Sequence, residues 1–594
     1  MSQKTKAALV GFLITLLVIG GLAFVIWRFV LPQIREFTIF QPFRSSVDFE
    51  NFHERFNLDP DVPQLVVDSQ RLRDIAPPLV ENRGGDASVF LRADFLHEYV
   101  DPFLFWDERA GVFFASTRYE MLEFTPHVPR FLINEFPHQL DTPIRLINGA
   151  VYLPADLIHQ LYQINIEYFA EYNMVVVTSA AEAQTTAEVV VNHAYVRYNN
   201  NRGSAVTAAL ERGDRLTVFP DYGEIDGFVR VRIANGLLGY ILRSDLGTFS
   251  NTVPTFNRTP LLQSGWVNNL EHHPPNWPEG VGINMVWDVT YSQDGNAARM
   301  NLPLGHGLTV VSPTWFRINE DATFFSTIAS QAYVNWAHEQ GVMVWPKVFD
   351  VNSQRVQAFL TNREARRTAI NQLLHYVDIL GLDGINIDFE HLNPPDGPYK
   401  IQFLRELALP LRERGVVLSA AVLIPLPGTM FYRRDLIALT VDFVQVMTYD
   451  EHWATSPIAG PNASLPWVQW SVENILREVP ARQLILGLPF YNRVWRIVQS
   501  DGSVTQRALG MNYARNFFEE RDVVWAWDSE IASYFGEVAA VEDGVSIVYR
   551  VWLEDERSIR AKMQIFVQHN LAGVAGWQRG LESLEAWNVI SHYF

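Results

Sequence analysis

Between Ile283 and Trp577 eight short apolar runs recur, and amphipathic helical patterns lie between them. The runs are Ile283–Val289, Leu308–Ser312, Val342–Pro346, Gly384–Asp388, Val416–Leu423, Phe443–Met447, Leu484–Leu488 and Val574–Trp577. Helical periodicity covers Thr323–Glu339, Glu364–Leu380 and Ser558–His569. Strands covered on both faces read as continuous apolar runs, and parallel neighbours need crossover helices. Eight such alternations over residues 265–594 predict an α/β barrel of the (β/α)8 TIM type, whose strand ends carry the chemistry. Residues 496–552 are too long for a loop and have strand and helix patterns of their own, so they predict an inserted α+β subdomain.

The barrel accounts for little more than half of 594 residues, so the chain is multidomain. Ala7 to Trp27 contains no charged residue. At helical rise its length is roughly 31 Å, one bilayer core. Lys4 and Lys6 precede it, Arg28 and Arg35 follow it, and no small-residue cleavage site comes after. Residues 7–30 are therefore expected to be an N-terminal transmembrane helix, with the N-terminus cytoplasmic and the remainder extracytoplasmic. The 47 Lys+Arg against 66 Asp+Glu give a net charge of −19, which argues against a nucleic-acid partner. With no Cys, there are no disulfides and no thiolate ligands or nucleophiles. His272-His273 lacks partner spacing, so no metal and no cofactor is expected, and the oligomeric state is not readable.

Two further segments show order of their own. Val89-Phe90-Leu91-Arg92-Ala93-Asp94-Phe95-Leu96-His97 recurs as Val151-Tyr152-Leu153-Pro154-Ala155-Asp156-Leu157-Ile158-His159, each copy a strand feeding a helix and then an aromatic-rich strand pair. This α+β repeat, placed at 46–180, resembles the amino-terminal domain of copper amine oxidases. Short alternating strands then follow: Gly213-Asp214 into Arg215–Phe219, Phe228–Arg232, and Asn235-Gly236 into Gly239-Tyr240-Ile241. They predict a small all-β barrel at 186–248 and resemble a bacterial Src-homology-3-type domain. The resemblance implies a module that binds cell-wall peptides, with a spacer barrel as the alternative.

The fourth barrel strand reads Asp383-Gly384-Ile385-Asn386-Ile387-Asp388-Phe389-Glu390. Side chains alternate faces along a strand, so Asn386, Asp388 and Glu390 share one face while Ile385, Ile387 and Phe389 take the other. Polar groups pointing into a barrel are costly unless used, and two adjacent carboxylates raise the pKa of one of them, which suits it to general-acid work. Both carboxylates project from the same side. A nucleophile on the far side of a sugar is therefore not evident in the chain, which leaves room for one supplied by the substrate.

The segment resembles the Asp-Gly-x-Asp-x-Asp-x-Glu signature of glycoside hydrolase family 18, the chitinases and endo-N-acetylglucosaminidases. Gln445-Val446-Met447-Thr448-Tyr449-Asp450 resembles the sixth-strand motif of that family, Gly487–Arg493 the seventh, and Gly573–Trp577 the eighth. The resemblance implies roles. Glu390 is the general acid and then the base. Asp388 orients the substrate's 2-acetamido group, which attacks its own anomeric carbon. Tyr449 hydrogen-bonds that group, and Trp577 forms the floor. Substrate contacts are further expected from Asn386, Gln445, Met447, Asp450, Tyr491 and Arg493. Asp383, on the opposite face, is expected to tie down the barrel.

Asn386 stands where the signature has its middle Asp, and Gly341–Lys347 lacks the usual Ser-x-Gly-Gly of the third strand. Both departures resemble the spore-cortex and cell-wall branch of the family. The expected partner is accordingly peptidoglycan, cut at β-1,4 bonds after N-acetylglucosamine. Chitin or chitooligosaccharide hydrolysis and a non-catalytic glycan-binding barrel are the alternatives.

Overall fold

The computed structural model describes residues 59–594 apart from 84–85, 163, 180–182, 253–271, 273–274 and 279. The expected membrane helix at 7–30 lies outside the described residues. Among the described residues no helix is long and apolar enough to cross a membrane. The chain divides into two compact units, one formed by residues before 90 with 163–258, the other by 90–162 with 259–594.

In the first unit, the strands Gln64–Val67 and Gln70–Leu72 join the hairpin Ile164–Phe169/Met174–Ser179 in a four-stranded sheet. A seven-stranded antiparallel sheet spans residues 184–252. Val66, Met174 and Val176 share one apolar core with Val196, Val218, Val231 and Ile241.

The second unit holds the barrel. Its strands are β1 (Ile283–Asp288), β2 (Val310–Pro313), β3 in two pieces (Met343–Val344 and Lys347–Asp350), β4 (Gly384–Phe389), β5 (Val417–Leu423), β6 (Phe443–Met447), β7 (Leu484–Pro489) and β8 (Gly573–Trp577). Each pairs in parallel with the next. β8 returns to β1 with Ile283 opposite Gly573 and Trp287 opposite Trp577, which closes the sheet. The break in β3 falls at Trp345-Pro346. Pro has no N–H to give to a ladder, so the strand changes partner there. Trp345 N–H donates to Val311 on β2, and the Pro346 carbonyl accepts from Asn386 N–H on β4. The third strand expected to end at Pro346 thus continues to Asp350.

Alternation along the strands sorts two cores. Ile385, Ile387, Phe389, Val444, Val446, Leu484, Leu486 and Val574 face the helices in the outer core. Ile283, Met285, Trp287, Trp345, Phe443, Met447, Ile485 and Ala575 fill the barrel interior. The helix expected over Thr323–Glu339 is shorter, Gln331–Glu339, with Ser330 as its N-cap. The residues before it form the hairpin Phe316–Ile318/Phe325–Thr327, because Asn319 Oδ1 accepts from the N–H groups of Thr323 and Phe324 and turns the chain. The insertion is a five-stranded antiparallel sheet carrying the helix Met511–Glu519, and its first strand is Tyr491–Val498.

Both copies of the repeat have the expected plan. Asp86–Arg92 leads into the helix Ala93–Tyr99, and Ala150–Pro154 into Ala155–Leu161. Arg92 and Pro154, the residues before the helices, have nearly the same backbone angles (φ −69°, ψ 142° and φ −68°, ψ 144°). The two leading strands pair antiparallel, with Leu91 opposite Leu153. The sheet after the first copy packs on the barrel helices Arg363–Leu380 and Gly397–Glu413. Arg366, fully buried, donates to Asp107 at 3.1 Å, to Glu406 at 3.0 and 3.1 Å, and to the Leu360 carbonyl at 2.6 Å. Arg405 donates to Ser116 Oγ and to the Ser116 and Thr117 carbonyls at 2.7–2.8 Å. Buried guanidinium groups with nearly all their donors used belong to an interior. Residues 90–162 are therefore built into the same unit as the barrel.

Candidate active site

The strand ends converge on one cavity of about 510 Å³. Its wall includes Lys347, Asp388, Glu390 and Trp577 together with Tyr291, Arg317 and Phe349. Asp388 and Glu390 sit at the C-terminal end of β4, Trp577 ends β8, and Tyr449 and Asp450 follow β6. This is the face where barrels of this kind place their chemistry.

Asn386, Asp388 and Glu390 follow one face of β4 inward, and each has its own surroundings. Asn386 is fully buried and completely bonded. Its Oδ1 accepts from Trp287 Nε1 at 3.0 Å, and its Nδ2 donates to Ser419 Oγ and Gln445 Oε1, both at 3.0 Å. Asp388, also buried, is ion-paired through Oδ2 with Lys347, while its Oδ1 has no hydrogen-bond partner. Glu390 is half-buried, and its backbone carbonyl accepts from Tyr432 Oη. Its carboxyl is pushed up to about 8, first by the charge of Asp388 and then by burial, with Lys347 opposing both. A carboxyl in that state still holds its proton at neutral pH, as a general acid requires.

A second group, none of which lines this cavity, lies near Glu390 after β6 and β7. Asp450, in the left-handed region at φ 59°, accepts from Tyr491 Oη and pairs with Arg493. Its N–H donates to Asn462 Oδ1 at 3.2 Å. Tyr449 stands edge-on to Tyr491 with ring centroids 6.2 Å apart. Burial raises its phenol well above the ordinary range, and the charges of Glu390, Asp388 and Asp450 add to this. Gly487 on β7 makes room for the tyrosine, since a Cβ there would lie 2.5 Å from the Val446 carbonyl and 3.2 Å from the Tyr449 ring.

The placement corrects some expected contacts. Asn386 and Gln445 are fully buried, and Met447 belongs to the interior core against which Tyr449 and Trp577 pack. These three pack beneath the site and do not line the cavity. Asp383 behaves as expected: its Oδ2 accepts from Val344 N–H at 2.8 Å and pairs with His338 at 2.8 Å. Lys347 was not foreseen as a site residue. Its signal is a single charge inside the apolar stretch Val344-Trp345-Pro346-Lys347-Val348-Phe349, where a buried ammonium needs a counter-charge. Among the described residues no group of acidic and histidine side chains could hold a metal ion.

Residues 309–582 match the family described as Glycosyl hydrolases family 18. The chain carries a glycoside hydrolase family 18 domain. Among curated proteins, this chain is 29% identical over 231 residues to the putative sporulation-specific glycosylase YdhD of Bacillus subtilis. That alignment covers 38% of this chain and 54% of the relative. The cortical fragment-lytic enzyme of the same organism is 28% identical over 243 residues, covering 40% and 55%. The chain spans about half the length of these curated relatives. Among solved structures, the Bacillus cereus spore cortex-lytic enzyme SleL aligns over 53% of this chain and 76% of its own, at 18% identity and a TM-score of 0.47. The family 18 domain is that of a glycosidase, and Lys347, Asp388, Glu390 and Trp577 of the cavity lie within the matched residues.

Proposed function

We propose that the family 18 domain hydrolyses β-1,4 bonds after N-acetylglucosamine in peptidoglycan, by a retaining mechanism in which the substrate's acetamido oxygen is the nucleophile. The observation that carries this reading is Glu390, protonated at neutral pH beside Asp388 in a cavity floored by Trp577. Glu390 protonates the glycosidic oxygen as the bond breaks. The acetamido oxygen closes on the anomeric carbon to an oxazolinium ion, and water activated by Glu390 then opens it with configuration retained. Asp388 Oδ1, an unused buried acceptor, suits the acetamido N–H. The remaining nearby carboxylates are committed, Asp450 to Tyr491 and Arg493, and Asp350 to Arg355 at 2.8 and 3.2 Å. Neither is free to act as the second carboxylate of a conventional retaining pair.

Peptidoglycan is favoured over chitin by Asn386 and the divergent third strand, and by relatives named as a cortical fragment-lytic enzyme and a sporulation-specific glycosylase. In this reading residues 7–30 anchor the chain in the membrane with the catalytic unit outside. Residues 186–248 are a bacterial Src-homology-3-type domain presented to the wall, and 46–180 derive from the amine-oxidase-like repeat. Mass spectrometry of digested peptidoglycan tests the reading. New reducing ends on N-acetylglucosamine support it, and ends on N-acetylmuramic acid refute it. Products from chitooligosaccharides alone move the substrate to chitin, and no products leave a glycan-binding barrel. Glu390→Gln is expected to abolish turnover while sparing binding.

A further inference from the structure

Lys347 is an unusual residue for its place. It is 3% exposed, lies on an inner strand of the barrel, and starts the second piece of β3 immediately after the break at Pro346. The change of partner at the break puts Lys347 beside β4, opposite Asn386 in the ladder. Its ammonium pairs with Asp388 Oδ2 and lies 4.5 Å from the centroid of the Trp577 ring and 5.3 Å from that of Phe349. Taking an ammonium out of water is costly, and here a carboxylate and the faces of two aromatic rings replace the lost hydration.

The position across from it makes the arrangement informative. Asn386 is neutral and its amide is used up by Trp287, Ser419 and Gln445, so it offers Asp388 neither a shared proton nor a repelling charge. Asp388 pairs through Oδ2 with Lys347 and hydrogen-bonds the neighbouring Glu390 carboxyl, and apart from that carboxyl its Oδ1 has no hydrogen-bond partner.

We propose that Lys347 is a positioning residue of the glycosidase reaction: it clamps Asp388 by Oδ2 and so fixes Oδ1 as the acceptor that orients the substrate's acetamido group. The inference rests on the glycosidase reading above. Position 386 carries no charge, so Asp388 and Glu390 are the two carboxyl groups of the trio and Lys347 is paired with the first of them. The charged and titratable groups that face the pair from neighbouring elements are Lys347 from β3, Lys400 from the helix after β4, Tyr432 and Arg434 from the segment after β5, Tyr449 and Asp450 after β6, and Tyr491 after β7. His391 follows Glu390 in the chain and lines the same cavity. Of these, Lys347 is the foremost cation acting against the upward push on Glu390, and Lys400 interacts with the same carboxyl.

The test is a pH–rate profile of the full chain on N-acetylglucosamine-containing peptidoglycan fragments, for wild type, Lys347→Met, Lys347→Arg, Asp388→Asn and the double variant Lys347→Met/Asp388→Asn. Lys347→Met is expected to lower kcat at least about tenfold with little change in KM. It is also expected to move the basic limb to higher pH, because the cation opposing the proton on Glu390 is gone. Lys347→Arg keeps the charge and holds the basic limb where the wild type has it. The double variant, which leaves no uncompensated buried charge, is expected to be no slower than Asp388→Asn alone. A Lys347→Met profile that overlays the wild type, or a double variant slowed by the full factor again, overturns the clamp while leaving the glycosidase reading intact. A wild-type chain without turnover overturns both. Should Lys347→Met fail to fold, comparison of the double variant with Asp388→Asn decides.

Discussion

Replacing Glu390 by Gln separates two consequences of one raised pKa. In the folded chain the carboxyl keeps its proton up to about 8, whereas an exposed glutamate in the unfolded chain releases it near 4.5. Between those values the native state binds one more proton than the unfolded state, so stability falls as pH rises, by at most about 1.4 kcal/mol for each pH unit. The sign is that of a group whose folded pKa is raised: its contribution is fully present below 4.5 and is lost as pH climbs through about 8. Gln carries no such dependence. At pH 5 wild type and Glu390→Gln are therefore expected to melt at nearly the same temperature. The variant gains steadily from there to pH 8 and levels off above it, a pattern that a thermal-shift series at half-unit intervals resolves. The rate gives the second reading. General-acid activity needs the protonated form, so wild-type kcat/KM is expected to fall about tenfold per pH unit above about 8. A wild-type rate that already falls with a limb near 5, or a stability difference that does not grow with pH, would refute the assignment of Glu390 as a buried acid held up by Asp388.

Three further outcomes are expected. Asp107→Ala leaves the Arg366 guanidinium in the interior without one of its two carboxylate partners, so it should cost about 3–5 kcal/mol in a denaturant melt of the catalytic unit while kcat below the transition is unchanged. Asn386→Asp, although it restores the family signature, removes the two donors that satisfy Ser419 Oγ and Gln445 Oε1; a loss of about 1–3 kcal/mol and no gain in kcat are expected from melts and steady-state kinetics. Trp577→Ala removes the cavity floor and should lower kcat/KM about tenfold or more, with the melting temperature reporting whether the loss reaches beyond the site.

What the sequence made legible was whatever has a period or a fixed local pattern. The eight apolar runs and the alternation of Asn386, Asp388 and Glu390 against Ile385, Ile387 and Phe389 depend only on strand geometry, and the barrel and its inward trio follow from them. The two copies of the repeat were readable for the same reason. Three things were not, and each is tertiary. Pro346 reads locally as a stop; only the neighbouring ladders turn it into a change of partner that brings Lys347 beside β4. Buried Asn386 and Gln445 and half-buried Asp450 look alike as polar residues near strand ends, and depth in the barrel, which no local pattern encodes, separates support from surface. The attachment of residues 90–162 to the catalytic unit depends on Arg366 and Arg405 reaching acceptors more than 250 residues away, and in sequence both are ordinary arginines on amphipathic helices. Their burial has a consequence for dissection of the molecule. A fragment that starts at residue 265 exposes two guanidinium groups and the apolar face around Phe105 and Tyr399, whereas one that starts at residue 86 keeps both arginines' partners. The catalytic unit is thus defined by where its buried charges find partners, which places its beginning well upstream of the first barrel strand.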